Sequence, residues 1–429
     1  MKAIINATLY DYHTYRPGAY LLFDGEIVET GEMSDFPGCE EVVDLKGGLL
    51  MPGMIVGHAH VYGTFLRGLT VPFQPESFRE LLEQLHWRLD AGLDLEATYH
   101  SARVFGLEHI KYGVTTIVDH HASGTAIRGT LAELKRGICD ETGMRGIFCF
   151  ETSDRFDVNE CIAENMGFAR RGDDRFAGMF GMHASMSLGQ ETLERISEVI
   201  GDLPVHVHVG ESLEDEVESV RRYGKRIVER FDQFNLLNEH SLLAHCVNID
   251  DREADIIAER KCTVAMNVLS NMNTSVGLPN YDLFKARGIP AIIGNDSLGA
   301  NLASDYRATL YAMHLRQKSA WNFSYDDLRE CIRNVYRYAG KMLGVKVGRL
   351  EPGYVADMIA VPYRPATPVS EENIFGHVVD GAYNLFRPSH TWCGGTARMT
   401  DYRTVWDEEE IYDDARRCAQ QLWKRIRSI

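Results

Sequence analysis

Two patterns of hydrophobic and polar positions divide this chain. Over the first fifty residues short apolar runs alternate with polar positions: AIINATLY, AYLLF, EIVETG and EVVDL. Such alternation marks strands, and Asp24-Gly25 between two of them is a hairpin signal. Similar runs return near the other end, DMIAV and SHTWCGGTARMT, with Gly394-Gly395 as a second hairpin turn. From Met51 onward the pattern changes. Eight short apolar runs each close in a polar cluster and lead into a helical stretch: MPGMIVGHAH, TTIVDHHAS, GIFCFETSDR, AGMFGMHAS, PVHVHVGES, SLLAHCVN, CTVAMNVLSN and IPAIIGNDS. Continuous apolar strands alternating with helices predict a parallel sheet covered on both faces. Eight units predict an α/β chain with a (β/α)8 TIM-like barrel, whose functional residues sit at the C-terminal strand ends. The expected organisation is a β-sandwich domain from residues 1–52 and 349–405, a barrel over 53–348, and a C-terminal helix over 406–429.

Length alone, 429 residues, is enough for two or three domains, but one barrel takes about 250 residues by itself. Composition changes the picture only by exclusion. No apolar run approaches the roughly 18 residues of a membrane helix. The start, MKAIINATLYDYHTYRPGAY, has no charged-then-apolar signal pattern and reads as strand and turn, which predicts a cytoplasmic protein. A net charge of −17 argues against nucleic acid, whose affinity comes from Lys and Arg neutralising phosphates. The expected partner is a small-molecule substrate, bound by a homo-oligomer of two or more chains. Nine scattered cysteines without a CxxC pair read as reduced, buried thiols.

The candidate chemistry lies at the strand ends. His58 and His60 are two apart on a strand, so both imidazoles share a face. An HxH pair alone is more often packing than ligation. Here His208 ends the fifth run, His245 the sixth and Asp296 the eighth, and closure of a barrel would bring all of them to one axis. Histidines with one carboxylate form a nitrogen and oxygen site for one divalent metal ion. Zn2+ is the first choice, and Fe2+ or Mn2+ fit the same donors. Glu211, three residues after His208, can reach the reacting water without ligating. His206 shares the face of His208 one pleat deeper, where barrel packing is its expected role.

Substrate contacts are expected from His120, His121, Glu151, Arg155, His183 and Asn271, all at strand ends. Glu151 and Arg155 could instead form an ion pair. The long connection from Val61 to about Ser77 and the helical run after it add Arg67 and Trp87, as a lid or specificity element.

PGMIVGHAH, HVGES, LLAHC and GNDS resemble the metal motifs of the amidohydrolase superfamily, in its cytosine-deaminase and chlorohydrolase-like branch. GRLEPGYVADMIAV resembles that family's return to its terminal β-domain. DHHAS, FETSDR and SNMN are similar to the aminohydrolases associated with selenium metabolism. The resemblance spans nearly the whole chain. It implies hydrolytic deamination of a small nitrogen-rich heterocycle of purine, pterin, pyrimidine or triazine type. In that mechanism Asp296 accepts the proton of the attacking water and Glu211 protonates the ring nitrogen. His245 orients the attacking oxygen, as a ligand or from behind. Two-metal relatives use a carboxylated lysine at strand four. No lysine lies between Lys135 and Lys225, which favours a single ion. Asn295 departs from the family, where Thr often precedes the aspartate, and is expected to tune the ligands' surroundings. Removal of chloride or an alkylamine, or cyclic-amide hydrolysis, would use the same site. A non-catalytic scaffold would be expected to have lost ligands.

Overall fold

The computed structural model describes residues 1–428. The first five strands are β1 (Lys2–Tyr10), β2 (Tyr15–Phe23), β3 (Ile27–Glu32), β4 (Glu41–Asp44) and β5 (Leu49–Pro52). Asp24-Gly25 lies in the turn between β2 and β3, as the dipeptide predicts. Nine strands then follow in parallel register. β6 (Met54–Ala59), β7 (Val114–His121), β8 (Arg145–Phe150) and β9 (Phe176–Gly178) form one four-stranded sheet. β10 (Phe180–Met182), β11 (Val205–Val209), β12 (Leu242–His245), β13 (Thr263–Met266) and β14 (Ala291–Ile293) form a five-stranded sheet.

The eight predicted runs thus become nine strands, because the fourth changes partner in mid-course. Met179 N–H donates to Phe148 on β8, while Phe180 N–H already donates to Pro204 ahead of β11. The two sheets also meet at isolated parallel bridges between Thr152 and Met182 and between Ala59 and Asp296. All eight residues of β7 are buried, as a strand covered on both faces must be. Gly294 permits the approach of the last strand end to β6: a Cβ there would lie 2.3 Å from Asn267 Oδ1 and 2.7 Å from His58 O.

The last strands are β15 (Met358–Val361), β16 (His390–Cys393), β17 (Thr396–Thr400) and β18 (Arg403–Thr404). β15 pairs antiparallel with β5, so both ends of the chain join in one nine-stranded sheet. Ile4, Leu21, Phe23, Leu50, Met358 and Trp392 pack into a core on that sheet. Gly394 and Gly395, both at positive φ, make the tight turn between β16 and β17. Beside it, Arg145 of β8 meets Asp357 at 2.7 Å in a buried ion pair, and Gly394 N–H donates to the same carboxylate. Burial pushes the Asp357 carboxyl up, against the pull of Arg145.

The final helix, Glu408–Ile426, starts at an Asp407 cap and buries Ile411, Ala415, Cys418, Leu422 and Ile426. It packs on the helix Leu95–Lys111. Trp423 Nε1 donates to Phe65 O at 2.9 Å, and Arg425 pairs with Asp94 at 2.6 Å. Among the described residues no helix is long and apolar enough to cross a membrane. Cys39 is partly exposed, the other eight cysteines are buried, and all nine are free thiols.

Candidate active site

The strand ends bring His58, His60, His208, His245 and Asp296 together. Asp296 Oδ1 lies 3.2 Å from Nε2 of His58 and 3.2 Å from Nε2 of His60. Nε2 of His60 and of His208 are 3.1 Å apart. Potential donor atoms of His58, His208 and His245 lie within 4.8 Å of one another, as do those of His58, His60 and Asp296. Two of these positions carry backbone strain. His245 has φ 71° and Asp296 φ 58°, a region that non-glycine residues rarely occupy and that costs about 1–3 kcal/mol. The hydrogen bonds from Asn295 N–H and Asp296 N–H to His58 O, and from His60 N–H to Asp296 O, hold the second of them.

The surroundings fix which nitrogen of each ring faces inward. His60 Nδ1 donates to the His120 carbonyl at 2.7 Å, and His208 Nδ1 to the His183 carbonyl at 2.8 Å. A carbonyl can only accept, so Nδ1 carries a proton in both rings and Nε2 is the atom that faces the centre, free to ligate whenever the ring is neutral. Nδ1 of His245 is likewise held by Asn271 Oδ1 at 2.8 Å, and Nδ1 of His58 by His206 Nε2 at 2.8 Å. Burial drives His58 down to about 4 and His208 well below its ordinary value, which keeps both rings neutral. Burial also opposes charge on His60 and on Asp296. The attraction between them across 3.2 Å wins: His60 rises to about 9 and Asp296 falls well below the carboxylate range. The cluster therefore stabilises a positive charge where these groups meet. Inward Nε2 atoms with one ionised carboxylate fit a divalent cation, and the buried His58 Nε2 and Asp296 Oδ1 have no hydrogen-bond partner.

Glu211 stands beside the cluster, Oε2 at 3.6 Å from His245 Nε2, and burial raises its pKa. A buried carboxyl next to a reaction centre can carry a proton. Ser270 Oγ donates to the other oxygen of Asp296. Asp119 accepts from Val61 N–H at 2.7 Å and so pins the turn that follows the HxH pair. Burial pushes the Asp119 carboxyl up to about 7.

A cavity of about 820 Å³, counting its open mouth, rises from this centre. Of the expected substrate contacts, Glu151, His183 and Trp87 line it. Arg155 does not. It pairs with Glu151 and with Asp90 at 3.0 Å, and its guanidinium sits 4.6 Å from the Trp87 ring centre. His120 does not line it either: its Nε2 donates to the Met182 carbonyl at 2.9 Å, and its ring sits beside the ligands, with a donor atom within 4.8 Å of those of His60 and His208. His121, one residue on, points to the opposite face, towards Thr98 and Phe150. Asn271 is placed behind His245 and not against the cavity. Arg67 lies outside, half exposed and paired with Glu108 at 2.7 Å. His206 has a larger part than packing, since it holds His58. Asn295 turns away from the ligands, towards His109 Nε2 and Gly299 O.

Tyr62, His86, Asp90, Asp215 and Ser270 also line the cavity, and residue spacing gave no signal for them. His86 and Asp90 lie on helical turns over Leu82–Gly92, where only the packing of that stretch shows which side faces inward.

The model of the amidohydrolase family matches residues 49–396. A 5'-deoxyadenosine deaminase of Methanosarcina acetivorans is 28% identical over 420 residues, covering 95% of this chain and 94% of that protein. A 5-methylthioadenosine/S-adenosylhomocysteine deaminase of Archaeoglobus fulgidus is 30% identical over 376 residues, 82% of this chain and 84% of that one. The structure of an adenosine deaminase from Xanthomonas campestris with bound zinc superposes with a TM-score of 0.84 at 19% identity, covering 100% and 98% of the two chains. An atrazine chlorohydrolase from Arthrobacter aurescens complexed with zinc reaches 0.81 at 19% identity, covering 98% and 100%. At that identity the likeness is one of fold. The chain belongs to the amidohydrolase family.

Proposed function

We propose that the substrate of this chain is a purine nucleoside or a heterocycle of similar size, deaminated by water. The chain is a metal-dependent hydrolase of carbon–nitrogen bonds, as its family and its deaminase relatives have it. The observation that carries the reading is the convergence of inward Nε2 atoms on Asp296, with Glu211 beside them at the floor of the cavity. His58, His60, His208, Asp296 and His245 would hold one Zn2+. When bound, such an ion acts as a Lewis acid and lowers the pKa of water. Asp296 takes the proton of the attacking water and His245 orients the oxygen. Glu211 delivers a proton to the ring nitrogen next to the attacked carbon and recovers one from the new hydroxyl. Asp296 passes the water's proton to the amino group, which leaves as ammonia.

Several finer assignments go with this reading. The two parallel sheets, bridged at both seams, support a closed (β/α)8 barrel over 53–348. The sheet built by residues 1–52 and 349–405, with its own core, supports a β-sandwich that folds over itself. Within the segment 406–429, the helix Glu408–Ile426 supports the barrel's first connection through Trp423. One zinc ion, a homo-oligomer of two or more chains and a cytoplasmic setting complete the proposal. The absence of a lysine at strand four supports a single ion. Glu151 and His183 are the wall groups we assign to substrate, with Trp87 as its aromatic face.

The test is ammonia release from purified, metal-loaded protein against purines and their nucleosides, pterins, pyrimidines and triazines. Turnover of a purine nucleoside is the expected result. Chloride release from a chlorotriazine, with no ammonia from any amino-heterocycle, would replace this reading with that of a chlorohydrolase.

A further inference from the structure

The cavity wall is one-sided in charge. Asp90, Glu151, Glu211, Asp215 and Asp296 line it, and among the described residues no lysine or arginine does. Arg155 is the cation behind that wall, and Asp90 and Glu151 both hold it while Trp87 covers its face. Arg79, next to the lining residue Phe78, is tied in the same way to Glu83 and Glu218. Neither of these guanidiniums lines the cavity, and both are already held by carboxylates. Apart from Asp296 Oδ1 in the metal cluster, one buried acceptor of the lining is left over. Asp90 is 2% exposed and gives one oxygen to Arg155, while its Oδ1 has no partner. A buried carboxylate oxygen without a donor is costly, and this one belongs to a residue on the cavity lining.

Resting on the deaminase reading of the site, we infer that the substrate carries no anionic group and presents an uncharged or cationic hydrogen-bond donor to Asp90. Free bases, nucleosides and amidinium-bearing heterocycles meet this condition. Nucleotides and substrates with a carboxylate tail do not. A phosphate or carboxylate brought beside Asp90 and Glu151 would face like charges out of reach of water. That juxtaposition lowers affinity by roughly two orders of magnitude or more.

The holoenzyme can be given three nucleosides that differ at one position: adenosine, 5'-amino-5'-deoxyadenosine and adenosine 5'-monophosphate. Ammonia is expected from the first two, with kcat/KM for the monophosphate lower by about a hundredfold or more. Asp90→Asn should narrow that gap. Equal or better turnover of the monophosphate overturns the inference. A second readout does not depend on turnover: the melting temperature of the holoenzyme with benzamidinium and with benzenesulfonate, two ring probes of opposite charge. Stabilisation by benzamidinium alone is expected. Stabilisation by benzenesulfonate, or by neither probe, overturns the inference even where Asp90→Asn fails to fold. If no nucleoside yields ammonia while benzamidinium still stabilises, the deaminase reading falls and the charge selection stands.

Discussion

His206 holds Nδ1 of His58 at 2.8 Å, and both rings are fully buried. His206 reaches no solvent and no cavity, so its effect on the site passes through the ring it orients. Groups that hold a metal-ligating histidine typically contribute about 10–100-fold in metal affinity. His206→Ala is therefore expected to weaken metal retention by that factor against a competing chelator, with the melting temperature of the loaded protein little changed. Gln in its place offers an acceptor at similar reach and should restore part of the loss. Unchanged retention in His206→Ala would leave His206 a packing residue.

Metal content gives the second expectation. Purified protein should hold close to one divalent ion per chain, and His58→Ala with His60→Ala should hold none by elemental analysis. Two ions at full occupancy would refute the single-ion assignment. Full activity of metal-free protein would remove the mechanism.

Glu211→Gln keeps size and polarity but cannot pass a proton. The ion should stay bound while kcat falls by about 10²–10⁴-fold, the usual contribution of a positioned acid–base group. Wild-type turnover in this variant would move proton delivery to another group, His245 first.

Asp296→Asn keeps shape and removes the base that Ser270 supports. Turnover should fall by roughly three or more orders of magnitude, at the upper part of the range for acid–base groups or beyond. An active Asp296→Asn enzyme would leave the reaction without its base.

Arg145→Met should strand the Asp357 carboxylate in a buried place. Loss of one partner of such a pair typically costs about 3–5 kcal/mol, read here as a lower urea midpoint. The double variant Arg145→Met with Asp357→Leu should recover much of it, because no uncompensated charge is left. A midpoint unchanged in the single variant would show that the pair does not hold the nine-stranded sheet to β8.

Where function followed strand periodicity, it was legible in sequence. His58 and His60 share a face because side chains on a strand alternate, and the polar clusters of the eight apolar runs marked the strand ends. The same alternation explains a misplacement: His120 and His121 cannot both face the cavity, and the first, bonded to Met182, sits beside the ligands instead of in the wall. Asn271 lies beyond its strand end on a helix, where nothing in the order of residues shows that it meets His245. Asp119 is likewise silent, since its partner is a backbone N–H 58 residues away. Arg67 sits in the right connection, but a neighbouring helix supplies Glu108 and takes it out of reach. Residue type and local period carry the ligands, whereas wall and support depend on packing between elements distant in sequence.

The bond from Trp423 to Phe65 spans 358 residues, and the pairing of β15 with β5 joins segments almost as distant. Phe65 lies in the turn of Val61–Leu66 that leaves the HxH strand and leads towards the cavity wall. Contacts of such separation are formed late, because the loop between them must be closed first. The ligand-bearing strands can pair in sequence order, yet the first connection lacks its brace until the helix Glu408–Ile426 docks. A helix that carries none of the site's groups thus completes the support of the connection that leads from the ligand strand to the cavity wall.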